Sequence, residues 1–235
     1  MDSAPDSALV IISGIEGNTL PFRSLRARHA LLLTMAQDKC YIDVKEDSTI
    51  RVAYEYYKHH GSKRDRLLST YYLGVIRQNA ENYIEAALAF RDAEPLAIDL
   101  GDNRQLSLID QHLSRIFSLN YDHVRSLDYA EKALDAAERA GEPLMADFCR
   151  YDVGVQLTRA YRFDEAERIF SDLLKETGSD PLLRVYIMKA MCKRLVMKTP
   201  SEYLDADRYY QAILDAGNSL SAEDYGLLAL IKEKE

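Results

Sequence analysis

The chain has 235 residues, of which 47% are hydrophobic and 29% charged, an ordinary globular mixture large enough for one elongated domain without a long linker. Its 38 acidic against 30 basic residues leave a net charge of −8, which argues against a nucleic-acid partner, because binding phosphate needs a basic face. The longest apolar run, Ala8 to Ile15, is too short to span a bilayer and lacks the basic leader of a signal peptide.

In chain order, residues 1–22 read as a short leading helix, near 5 to 15, and a loop. A first helical hairpin follows over 23–61, with helices near 23 to 40 and 46 to 60. Four more units are expected at 62–101, 102–141, 142–178 and 179–217, and an unpaired helix at 218–235. The boundaries come from a 40-residue ladder, Gly61, Gly101 and Gly141, with Ala53, Ala93 and Ala133 between the rungs. Within a unit, Ala86, Phe90 and Ala93 sit four and three residues apart and so form one buried stripe on one helix. The same places hold Ala166, Phe170 and Leu173 one unit pair later, then Ala206, Tyr210 and Ile213.

The preceding helix of each unit carries a large residue followed by a small one: Leu33-Thr34, Leu73-Gly74, Leu113-Ser114 and Val153-Gly154. A large and a small side chain side by side suit a close crossing of paired helices. The series ends at Lys193-Arg194, so the last unit is degenerate or shifted in register. In the final helix, Ser219 or Ser221 can cap the N-terminus with Glu223 in the first turn, and Tyr225, Leu227, Leu228, Leu230 and Ile231 supply its apolar side.

These residues resemble the tetratricopeptide repeat family, on Leu73, Gly74, Tyr83, Ala86, Phe90 and Ala93 in one unit and Val153, Gly154, Phe163, Ala166, Phe170 and Leu173 in another. The resemblance implies an all-α, right-handed superhelix of about five antiparallel helix pairs, in the longer variety of the repeat, over roughly residues 26 to 235. The opening Met1-Asp2-Ser3-Ala4-Pro5-Asp6-Ser7-Ala8-Leu9 is similar to that of tetratricopeptide proteins common in Bacteroidetes. That narrower resemblance implies an excised repeat domain of a longer envelope-associated regulator. The upstream part would hold an export or lipoprotein signal, and the downstream part a membrane helix and a coiled-coil or DNA-binding tail. Without it, a cytoplasmic location is expected.

The family's geometry implies that the first helix of each hairpin lines a concave groove. Projected residue by residue, this selects Tyr71, Gln78 and Asn79, then Gln111, Arg115 and Ser118, then Tyr151, Thr158 and Arg159, with Met191, Leu195 and Lys198 continuing the surface. Tyr and Arg suit anchoring of a peptide, and Gln and Asn suit pairing with its backbone. The set lacks the Lys/Asn clamp that related repeats use for a C-terminal carboxylate. The competing reading is that these tyrosines pack between hairpins, since 16 Tyr and no Trp make Tyr the chain's aromatic filler.

Signals for chemistry are thin. The histidines His29, His59, His60, His112 and His123 include no i, i+4 pair, and no phosphate loop or nucleophile elbow occurs. Cys40, Cys149 and Cys192 have no CxxC spacing and read as buried thiols. Two basic groups, Arg23/Arg26/Arg28 and Lys189/Lys193/Arg194/Lys198, read as solvated helix faces. The expectation is a non-enzymatic module with no cofactor or metal, whose partner is a protein or peptide. The alternatives are homo-oligomeric self-association, or an adaptor that regulates a partner enzyme.

Overall fold

The structure, a computed structural model, describes residues 4–176, 180–198, 203–215, 217 and 221–232. Among them are twelve α-helices, one short 3-10 turn and no strand. The chain divides into two compact units, Met1–Ile116 and Phe117–Glu235. The first contains α1 (Pro5–Ser13), α2 (Arg23–Lys39), α3 (Ser48–Tyr57), α4 (Lys63–Asn79), α5 (Tyr83–Leu100) and most of α6 (Asn103–Leu119). The second runs from the last turn of α6 through α7 (His123–Ala140), α8 (Pro143–Arg159), α9 (Phe163–Lys175), α10 (Pro181–Lys198), α11 (Tyr203–Asp215) and α12 (Ala222–Lys232).

Helices start where the sequence supplies acceptors for the orphan amides of their first turns. Ser62 and Asp65 form a reciprocal capping box on α4, and the Asp122 carboxylate accepts from the Arg125 amide at the start of α7. Asp180 accepts from the amides of Leu182 and Leu183 at 2.8 and 3.2 Å to open α10. At α12 the cap is Ser221, paired reciprocally with Asp224 rather than with Glu223. The alternative cap Ser219 lies outside the described residues, as do the side chains of Glu223, Leu227, Leu230 and Ile231. Tyr225, expected on the apolar side of α12, is exposed, while Leu228 packs with the core formed by α10 and α11.

The 40-residue period has a backbone origin beyond the side chains. Tyr41, Glu81, Tyr121 and Tyr161 all adopt left-handed conformations, with φ of 56°, 63°, 59° and 61°. Each closes the first helix of a hairpin, and the amide one residue on reaches back five residues: Ile42 to Gln37, Asn82 to Arg77, Asp122 to Phe117, Arg162 to Leu157. This is the Schellman closure, normally made by glycine. Glycine takes that conformation between hairpins instead, at Gly61, Gly101, Gly141 and Gly217.

The expected stripes are the core. Ala86, Phe90 and Ala93 are fully buried, as are Ala166, Phe170 and Leu173, and Ala206, Tyr210 and Ile213. Gly74 and Gly154 lie against the rings of Phe90 and Phe170, where an added Cβ would come within 2.8 and 2.5 Å of a ring carbon. Leu73 is buried beside the first of them and Val153 beside the second.

In α10 the register does shift. Its buried residues Ile187, Met191 and Leu195 fall two residues short of the 40-residue step from Cys149, Val153 and Leu157. Met191 and Leu195 are therefore core residues, not a continuation of a groove, and the side chain of Lys198 lies outside the described residues. In α11, Ala206, Tyr210 and Ile213 return to the 40-residue step, so the shift is confined to α10.

Candidate functional site

In the first unit, two of the predicted groove residues, Tyr71 and Gln78, join His112 in an internal polar network. The Tyr71 hydroxyl lies 3.1 Å from His112 Nε2, and His112 Nδ1 lies 3.1 Å from Gln78 Oε1. An amide oxygen only accepts, so Nδ1 carries the proton, and Nε2 accepts from the Tyr71 hydroxyl. Phe90 stacks flat on the imidazole, with centroids 4.7 Å apart and planes 8° apart. Burial, helped by the charge of nearby Arg115, lowers the His112 pKa to about 4, so the ring is neutral near pH 7. Burial likewise pushes the Tyr71 hydroxyl well above its usual range.

Asn79 donates to the Val44 carbonyl at 3.2 Å and holds the loop between α2 and α3. The Gln111 amide donates to Ser107 Oγ at 3.2 Å. Of the nine groove residues selected from the sequence, Arg115 is exposed, Tyr71, Gln78, Ser118 and Thr158 are buried, and the rest are half-buried.

In the second unit, three of the nine residues gather around one cavity. It has a volume of about 190 Å³, and its walls come from α8 (Tyr151, Val155, Thr158, Arg159), α10 (Lys189, Ala190, Lys193, Met197) and α12 (Asp224). Tyr151 is wedged against Phe170 and Tyr186, with centroids 6.2 and 6.1 Å away, and burial pushes its hydroxyl up to about 12. It remains a neutral amphipathic wall at physiological pH.

Thr158 bonds back to the Gly154 carbonyl at 2.9 Å, so its hydroxyl proton is already used within the helix. Arg159 donates a hydrogen bond to Ser118 Oγ. Ser118 in turn donates to Gln156 Oε1 at 2.9 Å, and Ser126 donates to the same oxygen at 2.9 Å. Ser118 thus positions Arg159 from behind the cavity wall.

Lys189 meets Asp224 at 2.8 Å and ties α10 to α12. Burial raises the Asp224 carboxyl, but the hydrogen bonds from Lys189 and from Ser221 outweigh it and hold the group below the ordinary carboxylate range. The basic group Lys189/Lys193/Arg194 is thus not a solvated helix face. Lys189 is ion-paired, Arg194 is buried at 2% exposure, and only Lys193 of the three is exposed. Cys149 and Cys192 are buried as expected, while Cys40 is half-buried.

Sequence reasoning missed His112, Gln156, Arg194 and Asp224. Gln156 had a signal, since one and two repeats earlier the position holds Ile116 and Ile76, both buried. A polar residue in an otherwise apolar series marks a place where hydroxyls must be satisfied. His112 had none, because its partners come from a different helix pair. Among the described residues, no three His, Cys, Asp or Glu side chains group to hold a metal ion, and no helix is long and apolar enough to cross a membrane.

No family model matches the sequence, and no curated protein does. Solved structures do share the fold. NprR, in complex with its cognate peptide NprX, is 17% identical, with a TM-score of 0.69 over 99% of this chain and 71% of that one. BtubC (BKLC) from P. vanneervenii is 14% identical, with a TM-score of 0.63 over 93% of this chain and 92% of that one. A kinesin light chain with nearly identical TPR-like repeats, from Podosopora anserina, is 12% identical, with a TM-score of 0.58 over 92% of this chain and 97% of that one. The all-α, tetratricopeptide-like repeat fold expected from the sequence is therefore the fold of this chain.

Proposed function

We propose that this chain is a non-catalytic recognition module that binds a peptide segment of a partner protein in the cavity between α8 and α10. The observation that carries the proposal is the composition of its walls. Tyr151, Val155, Ala190 and Met197 give an apolar strip, and Arg159 and Lys193 set positive charge beside it. Such a lining suits a segment that pairs an apolar side chain with an acidic one. Arg159 is held by Ser118 before any ligand arrives, so little side-chain entropy is lost on binding. The peptide complex of NprR, which has the same fold, is consistent with this use of the repeats.

The test is selection of binders from a displayed peptide library against the full chain, followed by calorimetric titration of the selected peptides. Lys193→Glu should weaken them about tenfold, the loss of a charge-assisted contact. Binders enriched in acidic and apolar residues and sensitive to this change support the reading. Selected peptides that bind the variant equally well place recognition elsewhere. In the wider setting, we propose that the module is the sensory or scaffold part of a longer envelope-associated regulator. An upstream lipobox and a downstream membrane helix in the full reading frame are the check.

A further inference from the structure

On the opposite flank of α10 lies a second and larger cavity, about 440 Å³, walled by α9, α10 and α11. Its polar wall holds Arg184, Arg194 and Arg208 against one acid, Glu167, and its apolar wall includes Leu174, Met188 and Leu195. We propose that this cavity is a binding site for an organic oxyanion, a carboxylate or phosphate ester carried on a compact apolar body. The site is independent of the peptide cavity.

Arg194 is the buried charge of this cavity. By the burial register of α10, two residues short of the repeat, it takes the place that Gln156 fills in α8, Ile116 in α6 and Ile76 in α4. Isoleucine or glutamine there fills its space or satisfies neighbouring hydroxyls. A guanidinium brings five N–H donors and a fixed charge into a site where its side chain is 2% exposed. A buried charge is costly unless it is both paired and hydrogen-bonded.

The pairing is incomplete. Arg194 reaches Glu167 Oε2 at 3.3 Å with one terminal nitrogen, an ion pair without hydrogen-bond geometry, and its Nε has no hydrogen-bond partner. The Glu167 carboxylate is itself 46% exposed and solvated, so it offsets little of the burial.

The other two arginines strengthen the positive field. Arg184, in the first turn of α10, donates to the Leu174 carbonyl at 3.3 Å at the end of α9, and Arg208 faces the cavity from α11. An oxyanion in the cavity would lie against the Arg194 guanidinium and complete the partial pairing of its charge, with its body against the Leu174, Met188 and Leu195 side chains. A guanidinium fork matches both carboxylate and phosphate, so the anion's source is left to the probes.

The experiment is calorimetric titration of the full chain with phenyl phosphate, phenylacetate, neutral phenylacetamide and inorganic phosphate. Saturable binding of phenyl phosphate or of phenylacetate, with none of the amide, is the expected result, and whichever acid binds identifies the anion. Binding of the amide as tight as that of the acids overturns the proposal, as does the absence of binding by both acids. Inorganic phosphate binding as tightly as phenyl phosphate shows that the apolar wall takes no part, and overturns it too.

Arg194→Met should abolish acid binding while leaving the thermal midpoint unchanged or higher, because it removes a poorly paired buried charge. A purely structural arginine would give the reverse, a lower midpoint with acid binding retained. Arg208→Gln, at an exposed position, tests the same site if the Met variant does not fold, with about tenfold weaker binding expected. Unchanged binding in that variant counts against the site. Lys193→Ala, which disturbs the peptide cavity, should leave binding of the acids intact, so the two readings fail separately.

Discussion

Phe90 in the first unit and Phe170 in the second occupy the same repeat position, lie on the same kind of glycine and are equally buried, yet their surroundings differ. Phe90 is clamped between Gly74 and the flat face of His112, which Tyr71 and Gln78 hold by both ring nitrogens. Phe170 lies on Gly154 within a cluster of Leu183, Ile187 and Met191, flanked by Ala190 and the tilted ring of Tyr151. By the shifted register of α10, Ala190 stands where His112 stands two repeats earlier. One aromatic is pinned by a hydrogen-bonded network and the other by pliable hydrocarbon. The repeat therefore conserves the close helix crossing while leaving the next layer free to differ, and the second unit uses that freedom to open cavities on both flanks of α10.

The comparison is broken most directly at the glycines. Gly74→Ala should cost about 2–3 kcal/mol, because the new methyl drives Phe90 into a ring that has no freedom to retreat. Gly154→Ala should cost about 1–2 kcal/mol although its Cβ would approach the ring more closely, because the methionine and alanine around Phe170 can yield. Urea melts of the two variants check the order. The reverse order would mean that His112 does not fix Phe90. The double variant Gly74→Ala/His112→Ala should cost less than the sum of its parts, a coupling expected only for residues that share a contact.

The same histidine gives the first unit a response to acid. The folded-state pKa of His112 is lowered to about 4, below the usual value of 6.5, so the unfolded chain binds more protons between these values. The contribution is complete above pH 6.5 and is lost as pH falls from about 6.5 to about 4. Discounted because the residue is only half-buried, it is about 2 kcal/mol. Melting midpoints measured across this window should fall more steeply for the wild-type chain than for His112→Leu. Parallel slopes would place the acid sensitivity elsewhere.

How much of this was legible in the sequence follows from the range of each interaction. The buried stripes and the close glycine contacts at Gly74 and Gly154 were readable because each depends on residues within one helix pair, repeated every 40 positions. The register shift was visible as a break at Lys193-Arg194, but its direction was not, since two residues gained or lost in a loop leave no mark on the period. The groove was harder. Tyr71 and Gln78 follow from the groove geometry that the family resemblance implies, yet both hydrogen-bond to a histidine contributed by another pair. Tyr151, Thr158 and Arg159 do converge on one cavity, but its other walls, Lys193 and Asp224, come from helices too far along the chain to be placed by spacing alone.

Gln156 offers a more modest test of the same contrast. Gln156→Ile restores the apolar residue of the earlier units but removes the acceptor shared by Ser118 and Ser126. The expected cost is about 1–2 kcal/mol, the loss of two hydrogen bonds from buried hydroxyls. Adding Ser126→Ala, which restores the alanine found at residues 86, 166 and 206, should recover part of it. No recovery would mean that the Gln156–Ser126 bond carries no stability of its own.

The smallest expected effect concerns what both units share, the left-handed closure of each hairpin's first helix. Three of the four positions hold tyrosine, a residue for which this conformation costs about 1 kcal/mol. Tyr41 is 94% exposed, so packing does not repay that strain. Tyr41→Gly should therefore stabilise the first unit by about 0.5 kcal/mol, the relief of strain less the greater unfolded-state entropy of glycine. Tyr161, whose ring meets Phe163 at 5.8 Å, should gain less from the same change. A loss of stability at Tyr41 would show that the exposed ring makes a contact whose strength exceeds the strain.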